Sequence, residues 1–202
     1  KVSDQNNRYI YSSMKLSSEM MIKNFSNKFK IDLDICRIFN LYGQNDNFSI
    51  ISKLRLLSKN NNEKIKVFNN GQSVRDFIHV NDVVKIYKKL LLTKGSDIID
   101  IGTGKGLKII EVIKNLKIPK KKILFKKNTM YEIHESIADK KKLIEKINFT
   151  KFRSVENFLR IKKKLDYETK IKSNLIENSL PGSIIYGAGY SGYILSKQLI
   201  DF

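Results

Sequence analysis

Two residues early in the chain, Tyr11 and Lys15, stand four apart in Tyr11-Ser12-Ser13-Met14-Lys15, and together they can carry a proton to or from an alcohol. Residues i and i+4 share a helix face, so the phenol and the ammonium can point into one site. A phenol titrates near ~10 when unperturbed and is a poor base at neutral pH unless a cation stabilises its phenolate. Lys15 is such a cation, and an oxidised nicotinamide would push the same way. The Tyr could then accept a hydroxyl proton as hydride leaves the carbon that bears it. A Tyr and a Lys four apart also arise by chance, so the pair needs support elsewhere. Met14, Met21 and Phe25, at helical spacing, are expected to pack on another face of the same helix.

The positioning elements follow in order. Asp34-Ile35-Cys36-Arg37-Ile38-Phe39-Asn40-Leu41-Tyr42-Gly43 reads as an apolar strand running into a turn, and a second strand pattern lies within Val74-Arg75-Asp76-Phe77-Ile78-His79-Val80-Asn81-Asp82-Val83-Val84. Ile98-Ile99-Asp100-Ile101 is strand-like and leads into Gly102-Thr103-Gly104-Lys105-Gly106, after which a helix is predicted from Ile109 to Leu116. Ser136-Ile137-Ala138-Asp139 precedes a Lys-rich helix for which Asp139 is the simplest N-cap, and Ser154 is placed to cap a further charged helix.

The order Y-x-x-x-K, R-x-F-N-x-Y-G, R-D-F-I-H-V-x-D, strand-G-T-G and S-I-A-D resembles the extended short-chain dehydrogenase/reductase family. Within it the chain is similar to the NAD-dependent nucleotide-sugar epimerases and dehydratases of the UDP-glucose 4-epimerase type. The resemblance runs over roughly residues 1–165. It implies an α/β fold: the C-terminal part of a Rossmann-type extended short-chain dehydrogenase, with its small substrate-binding domain. It also implies NAD as cofactor, a nucleotide-diphosphate sugar as substrate, and a homodimer in which Met20, Met21 or Phe25 faces the partner. The reaction implied is transient oxidation of a sugar hydroxyl, at C4, followed by epimerisation or dehydration. Tyr11 would be the base, and Lys15 would hold the nicotinamide ribose. A protein that keeps the fold and binds a sugar nucleotide without reacting it is the alternative.

Further site residues follow from the resemblance. Asn40 matches a position that holds the diphosphate, and Asn47 and Phe48 fall where family members contact the nucleotide. Phe68 would pack near the base, although core packing explains it equally well. Arg75 would pair with a phosphate through its planar fork; the competing reading is an ion pair with Asp76 or Asp82. One departure stands out. Relatives commonly place an Arg where this chain has Thr129, three residues before Glu132, leaving Lys126 or Lys127 to supply charge by a single contact.

The chain opens at Lys1, ten residues before Tyr11, without the Gly-rich turn, ribose-binding acid and Ser or Thr that the family carries upstream. An internal piece of a longer protein, inactive by itself, is therefore expected. Residues 1–166 are assigned to the epimerase/dehydratase domain, 167–182 to a linker, and 183–202 to the start of a second Rossmann-like domain. In the last, Ser183-Ile184-Ile185-Tyr186 leads into Gly187-Ala188-Gly189-Tyr190-Ser191-Gly192, a strand followed by G-x-G-x-x-G. Gly187, Gly189 and Gly192 would let the backbone approach a pyrophosphate; the alternative is a glycine-rich turn without a ligand.

Composition bears on the partner. The net charge of +19 would ordinarily suggest nucleic acid. The excess is nearly all Lys spread along the chain, with no aromatic-interleaved basic motif for stacking bases, so nucleic-acid binding is the minority reading. No apolar run is long enough for a membrane span. The single cysteine, Cys36, reads as a buried hydrophobe in a reducing compartment, and a cytoplasmic location is expected. His79 follows a strand pattern and reads as structural. With His134 it gives no metal-ligand spacing, and no metal site is expected. The Gly102–Gly106 turn lacks phosphate-loop spacing and reads as structural.

Overall fold

Alternating buried strands and amphipathic helices build a mixed α/β structure. The computed structural model describes residues 4–43, 46, 48–58, 63–126, 133–160 and 184–187. Along the chain these form α1 (Asp4–Phe29), β1 (Leu33–Ile38), β2 (Asn40–Tyr42), α2 (Ile50–Ser58), β3 (Ile65–Val67), β4 (Val74–His79), α3 (Val80–Leu90), β5 (Ile98–Ile101) and β6 (Gly106–Lys108). Then come α4 (Ile109–Asn115), β7 (Ile123–Phe125), β8 (Glu135–Ser136), α5 (Lys141–Ile147), α6 (Val155–Arg160) and β9 (Ile184–Gly187), with short 3-10 turns at Phe68–Gly71 and Lys120–Lys122. The chain divides into two units: Lys1–Arg37 with Tyr87–Ile99 and Asp166–Phe202, and Ile38–Ile86 with Asp100–Leu165.

In the first unit β1 is the central strand of a three-stranded sheet ordered β5-β1-β9. Leu33, Asp34, Ile35 and Cys36 are all buried, the continuous pattern of a strand covered on both faces. Cys36 is a buried thiol, as its strand position predicts. Asp34 is accommodated there because its carboxylate accepts the N–H of Asp97, while Ser96 Oγ accepts the N–H of Leu33. The helix α1 ends at Lys30, whose left-handed φ of 53° turns the chain. Ser26 closes the turn from both sides: its hydroxyl donates to the Ile31 carbonyl, and its own carbonyl accepts the Ile31 N–H.

The side of α1 that turns inward is not the one expected. Glu19 and Ser26 are buried and Lys15, Ser18 and Ile22 half-buried, which traces one stripe of helical period. Met14, Met21 and Phe25 lie off that stripe and are 64%, 73% and 47% exposed. A helix lying on a single layer buries one stripe only, and here that stripe carries polar side chains.

The second unit is organised around β4. Its C-terminal half pairs in parallel with β2 (Asn40↔Phe77) and its N-terminal half in parallel with β8 (Arg75↔Ser136), while β6 runs antiparallel along the opposite edge (Arg75↔Leu107). β3 and β7 form a separate parallel pair. The core lies between these strands and the helices. Ile51, Leu54 and Leu57 of α2, Ile109, Val112 and Ile113 of α4, and Val155 and Phe158 of α6 meet Tyr42, Val67 and Phe77. The α4 spacing of i, i+3 and i+4 is what a one-faced helix requires.

Two local expectations change. The segment 34–43 is two strands separated at Phe39, and Tyr42 is the buried last residue of β2 rather than part of an open turn. Its hydroxyl donates to the Arg153 carbonyl at 3.2 Å. Ser154 caps α6 as predicted, accepting the Asn157 N–H. Asp139 stands one residue further from α5 than an N-cap, yet its carboxylate still accepts the Lys141 N–H.

Candidate active site

Tyr11 and Lys15 lie on α1 in the first unit. The Lys15 ammonium is 5.4 Å from the Tyr11 ring centroid, so the i, i+4 spacing brings the two side chains together. Tyr11 is 58% exposed and Lys15 half-buried. One turn further along the same stripe Glu19 is buried and receives two parallel hydrogen bonds from Arg37, Nε at 2.9 Å and Nη2 at 2.8 Å. The bidentate Arg37 contact holds the Glu19 carboxyl below the usual carboxylate range, against the opposing effect of burial.

Arg37 is the fifth of six residues of β1, so the ion pair sets Glu19 level with the carboxyl end of that strand. At 1.5 Å rise per residue, Lys15 stands about 6 Å and Tyr11 about 12 Å further along the axis. The ammonium and phenol thus stand one and two helical turns beyond the residue that Arg37 ties to β1. Neither Glu19 nor Arg37 was singled out from the sequence. The available signals were the i+4 step from Lys15 and the Arg of R-x-F-N.

The second unit holds Asn40, Phe48, Phe68 and Arg75. Asn40 Nδ2 donates to the Asp76 carbonyl at 3.0 Å, which uses one of its two N–H donors. Arg75 Nη1 donates to the Val74 and His134 carbonyls, at 2.8 and 3.4 Å. Both acids proposed as alternative partners of Arg75 have other ligands. Asp82 receives the Arg153 guanidinium and its N–H, and Asp76 is enclosed by Thr103, Gly104 and Ala138. Asn40 and Arg75 thus meet around one residue of β4.

Phe68, 48% exposed, opens a 3-10 turn in which Asn69 and Asn70 are left-handed at φ 48° and 49°. Phe68 is not among the residues of the buried core cluster. Asn69 Nδ2 lies 3.4 Å from His134 Nδ1, so Asn69 and Arg75 share His134 as a neighbour. Phe48 is 64% exposed. Its N–H and that of Ser49 donate to Asp46 Oδ1, and Ser52 Oγ donates to Oδ2. Burial raises the Asp46 carboxyl, but these bonds outweigh it and leave it below its ordinary value. Asp46 thereby sets the chain at Phe48. Asn47, Lys127, Thr129, Glu132, Gly189 and Gly192 lie outside the described residues; Gly187 ends β9, which runs parallel to β1 with Leu33↔Ile184 and Cys36↔Gly187 in register.

His79 is structural, as its strand position predicts. It is buried, its Nδ1 accepts the Asn81 N–H, and its ring meets Tyr42 and Phe158 edge-on at 5.2 and 5.6 Å. Burial, with Arg153 beside it, pushes its pKa down to about 4 despite the opposing Asp82. The Thr103 and Gly104 N–H groups both donate to Asp76, so that glycine-rich turn spends its amides within the fold. Among the described residues no group of three His, Cys, Asp or Glu can hold a metal ion, and no helix is long and apolar enough to cross a membrane.

The chain is similar to proteins of known sequence and structure. The chain is 25% identical over 143 residues to a UDP-glucuronate 4-epimerase of Thermodesulfobacterium geofontis, an alignment covering 66% of this chain and 44% of that protein. The structure superposes on UDP-glucose 4-epimerase of Thermotoga maritima, solved with UDP-glucose, at a TM-score of 0.61 with 26% identity, covering 74% of this chain and 50% of that one. It matches UDP-N-acetylglucosamine 4-epimerase of Methanobrevibacter ruminantium, solved with UDP-N-acetylmuramic acid, at a TM-score of 0.60 with 25% identity over 74% and 51% of the two chains. The chain thus spans about half the length of these relatives or less. The profile of the NAD dependent epimerase/dehydratase family covers residues 2–102, from α1 through β5. On this match and this fold, the chain belongs to the NAD dependent epimerase/dehydratase family.

Proposed function

We propose that this chain supplies the Tyr–Lys helix and the nucleotide-sugar-binding residues of an enzyme that epimerises or dehydrates a nucleotide-diphosphate sugar through transient oxidation at C4. The observation that carries the proposal is the exposed Tyr11 phenol with the Lys15 ammonium 5.4 Å from its ring, on a helix that Glu19 and Arg37 tie to β1. An exposed phenol beside an ammonium is a donor set suited to the ribose hydroxyls of NAD. That cofactor, when bound, supplies the hydride acceptor.

The protein's own residues then have simple tasks. Tyr11 Oη takes the proton of the sugar hydroxyl as the carbon loses hydride, and returns it when the ketone is reduced again. The Lys15 ammonium, fixed one turn away, stabilises the phenolate that Tyr11 must be before it takes the proton and again after it returns it. Asn40 offers its second amide N–H and Arg75 its guanidinium to the diphosphate. Phe48 and Phe68 offer exposed aromatic faces to the nucleoside, and Asn47 is proposed as a further contact to it. Gly187, Gly189 and Gly192 begin a second nucleotide-binding segment.

Tyr9, Ile10, Met14, Leu16, Met20, Met21, Phe25 and Phe29 leave much apolar surface exposed along α1. A surface of that kind calls for a cover, and a second copy of the protein is proposed to provide part of it. The 202 residues alone are proposed to be catalytically silent, because the relatives are about twice as long.

The test is incubation of the full-length enzyme with NAD and a UDP-hexose, followed by NMR of the sugar. A C4 epimer or a 4-keto-6-deoxy sugar is the expected product. Unchanged sugar across uridine, thymidine and cytidine diphosphate hexoses would contradict the proposal.

A further inference from the structure

We propose that Asp76 is a positioning residue for nucleotide binding: its buried carboxylate locks the Gly102–Gly104 turn and Ala138 onto β4 and so fixes Asn40 and Arg75 in place. The inference rests on the reading of Asn40 and Arg75 as diphosphate contacts and assigns the residue that sets them.

Asp76 is 0% exposed. Its Oδ1 accepts the Thr103 N–H at 3.0 Å and the Thr103 hydroxyl at 2.6 Å; its Oδ2 accepts the Gly104 N–H at 2.8 Å and the Ala138 N–H at 3.2 Å. A carboxylate buried without such donors would be strongly unfavourable. Four donors from two separate segments make it instead a rigid junction, since each must stay in place to satisfy the charge. The fit leaves no slack. A Cβ at Gly102 would lie 2.7 Å from Asp76 Oδ2 and 2.4 Å from the Ala138 Cβ.

The backbone of the same residue faces the nucleotide candidates. The Asp76 carbonyl accepts Asn40 Nδ2, on the strand whose Asn40 is in register with Phe77. Arg75, next in sequence, donates to the His134 carbonyl and is in register with Ser136. The segment leading to Ala138 is therefore held by Arg75 at one end and by the Asp76 carboxylate at the other. Any rotation of β4 about Asp76 moves the acceptor of Asn40 and the root of Arg75 together.

Thr103→Val removes one donor to Asp76 while keeping the side-chain shape, and Thr103→Ser restores it. UDP affinity of the chain is measured by calorimetry, and the Asn40 side-chain amide is followed in ¹⁵N spectra without ligand. Thr103→Val is expected to shift the Asn40 amide signals and weaken UDP about 3- to 10-fold, with Thr103→Ser returning both toward wild type. Asn40→Ala should weaken UDP less in the Thr103→Val background than in wild type. If Thr103→Val does not fold, Thr103→Ala serves in the same comparison.

Unmoved Asn40 signals and unchanged UDP affinity, with only a lower melting temperature, would overturn the positioning role. In that case Arg75→Ala and Asn40→Ala still weakening UDP leaves the nucleotide reading intact. If those two variants change nothing, or wild type binds none of UDP, dTDP and CDP, the nucleotide reading has failed and this inference fails with it.

Discussion

Arg37 grips Glu19 through two parallel hydrogen bonds of 2.9 and 2.8 Å, and that grip ties α1 to β1. Arg37 is half exposed while the Glu19 side chain is 9% exposed. The pair therefore lies between a weak surface bridge and a fully buried one. It joins the helix that carries Tyr11 and Lys15 to β1.

Removing Arg37 should strand a largely buried carboxylate. Arg37→Met is expected to destabilise the protein by about 1–3 kcal/mol, and Glu19→Gln by less, because the neutral amide needs no cation. The sign with pH follows from the lowered Glu19 pKa. Its stabilising contribution is complete above the unfolded carboxylate pKa and is lost as pH falls through the folded value. Urea melts of wild type and Glu19→Gln should therefore differ most near neutrality and converge in acid. A gap that widens in acid would contradict the assignment.

Asp46 organises the entry to α2. Asp46→Ala removes the acceptor for the Phe48 and Ser49 N–H groups and for the Ser52 hydroxyl, a loss of about 1 kcal/mol by analogy with helix caps. Hydrogen exchange should quicken at Phe48 and Ser49 and leave β4 unaffected. Uniform quickening across the unit would mean that Asp46 supports the whole fold rather than this turn.

His79 should titrate well below an ordinary histidine. Its folded pKa of about 4 lies under the unfolded value of 6.5, so the unfolded chain binds the extra proton first. Stability is then complete above about 6.5 and falls as pH drops toward 4. His79→Asn keeps an acceptor for the Asn81 N–H and removes the titration. Its stability should be flatter than that of wild type over that interval. An identical pH profile would show that His79 is not protonated on unfolding there.

Much of this was legible in the sequence because it rests on local pattern. The Y-x-x-x-K spacing, the β4 strand, the Ile109 helix, the structural His79 and the buried Cys36 each follow from periodicity or from motif order. The orientation of α1 was not legible. Met14, Met21 and Phe25 read as the buried face because apolar side chains usually are, yet the buried stripe runs through Lys15, Glu19 and Ser26. The cause is an ion pair to a residue eighteen positions away, which no local pattern announces. The same holds for Asp76. Its neighbour Arg75 drew attention as a phosphate ligand, while the carboxylate's partners lie 27, 28 and 62 residues downstream. Tyr42 likewise looked like part of a turn, because its partner Arg153 is 111 residues away.

The most direct test of the account is Tyr11→Phe in the full-length enzyme, with turnover and nucleotide-sugar affinity measured on the same preparation. Loss of the hydroxyl alone should lower kcat by 10²-fold or more and leave the affinity within about twofold. Turnover equal to wild type would contradict Tyr11 as the proton carrier, and with it the role given to the helix that bears it.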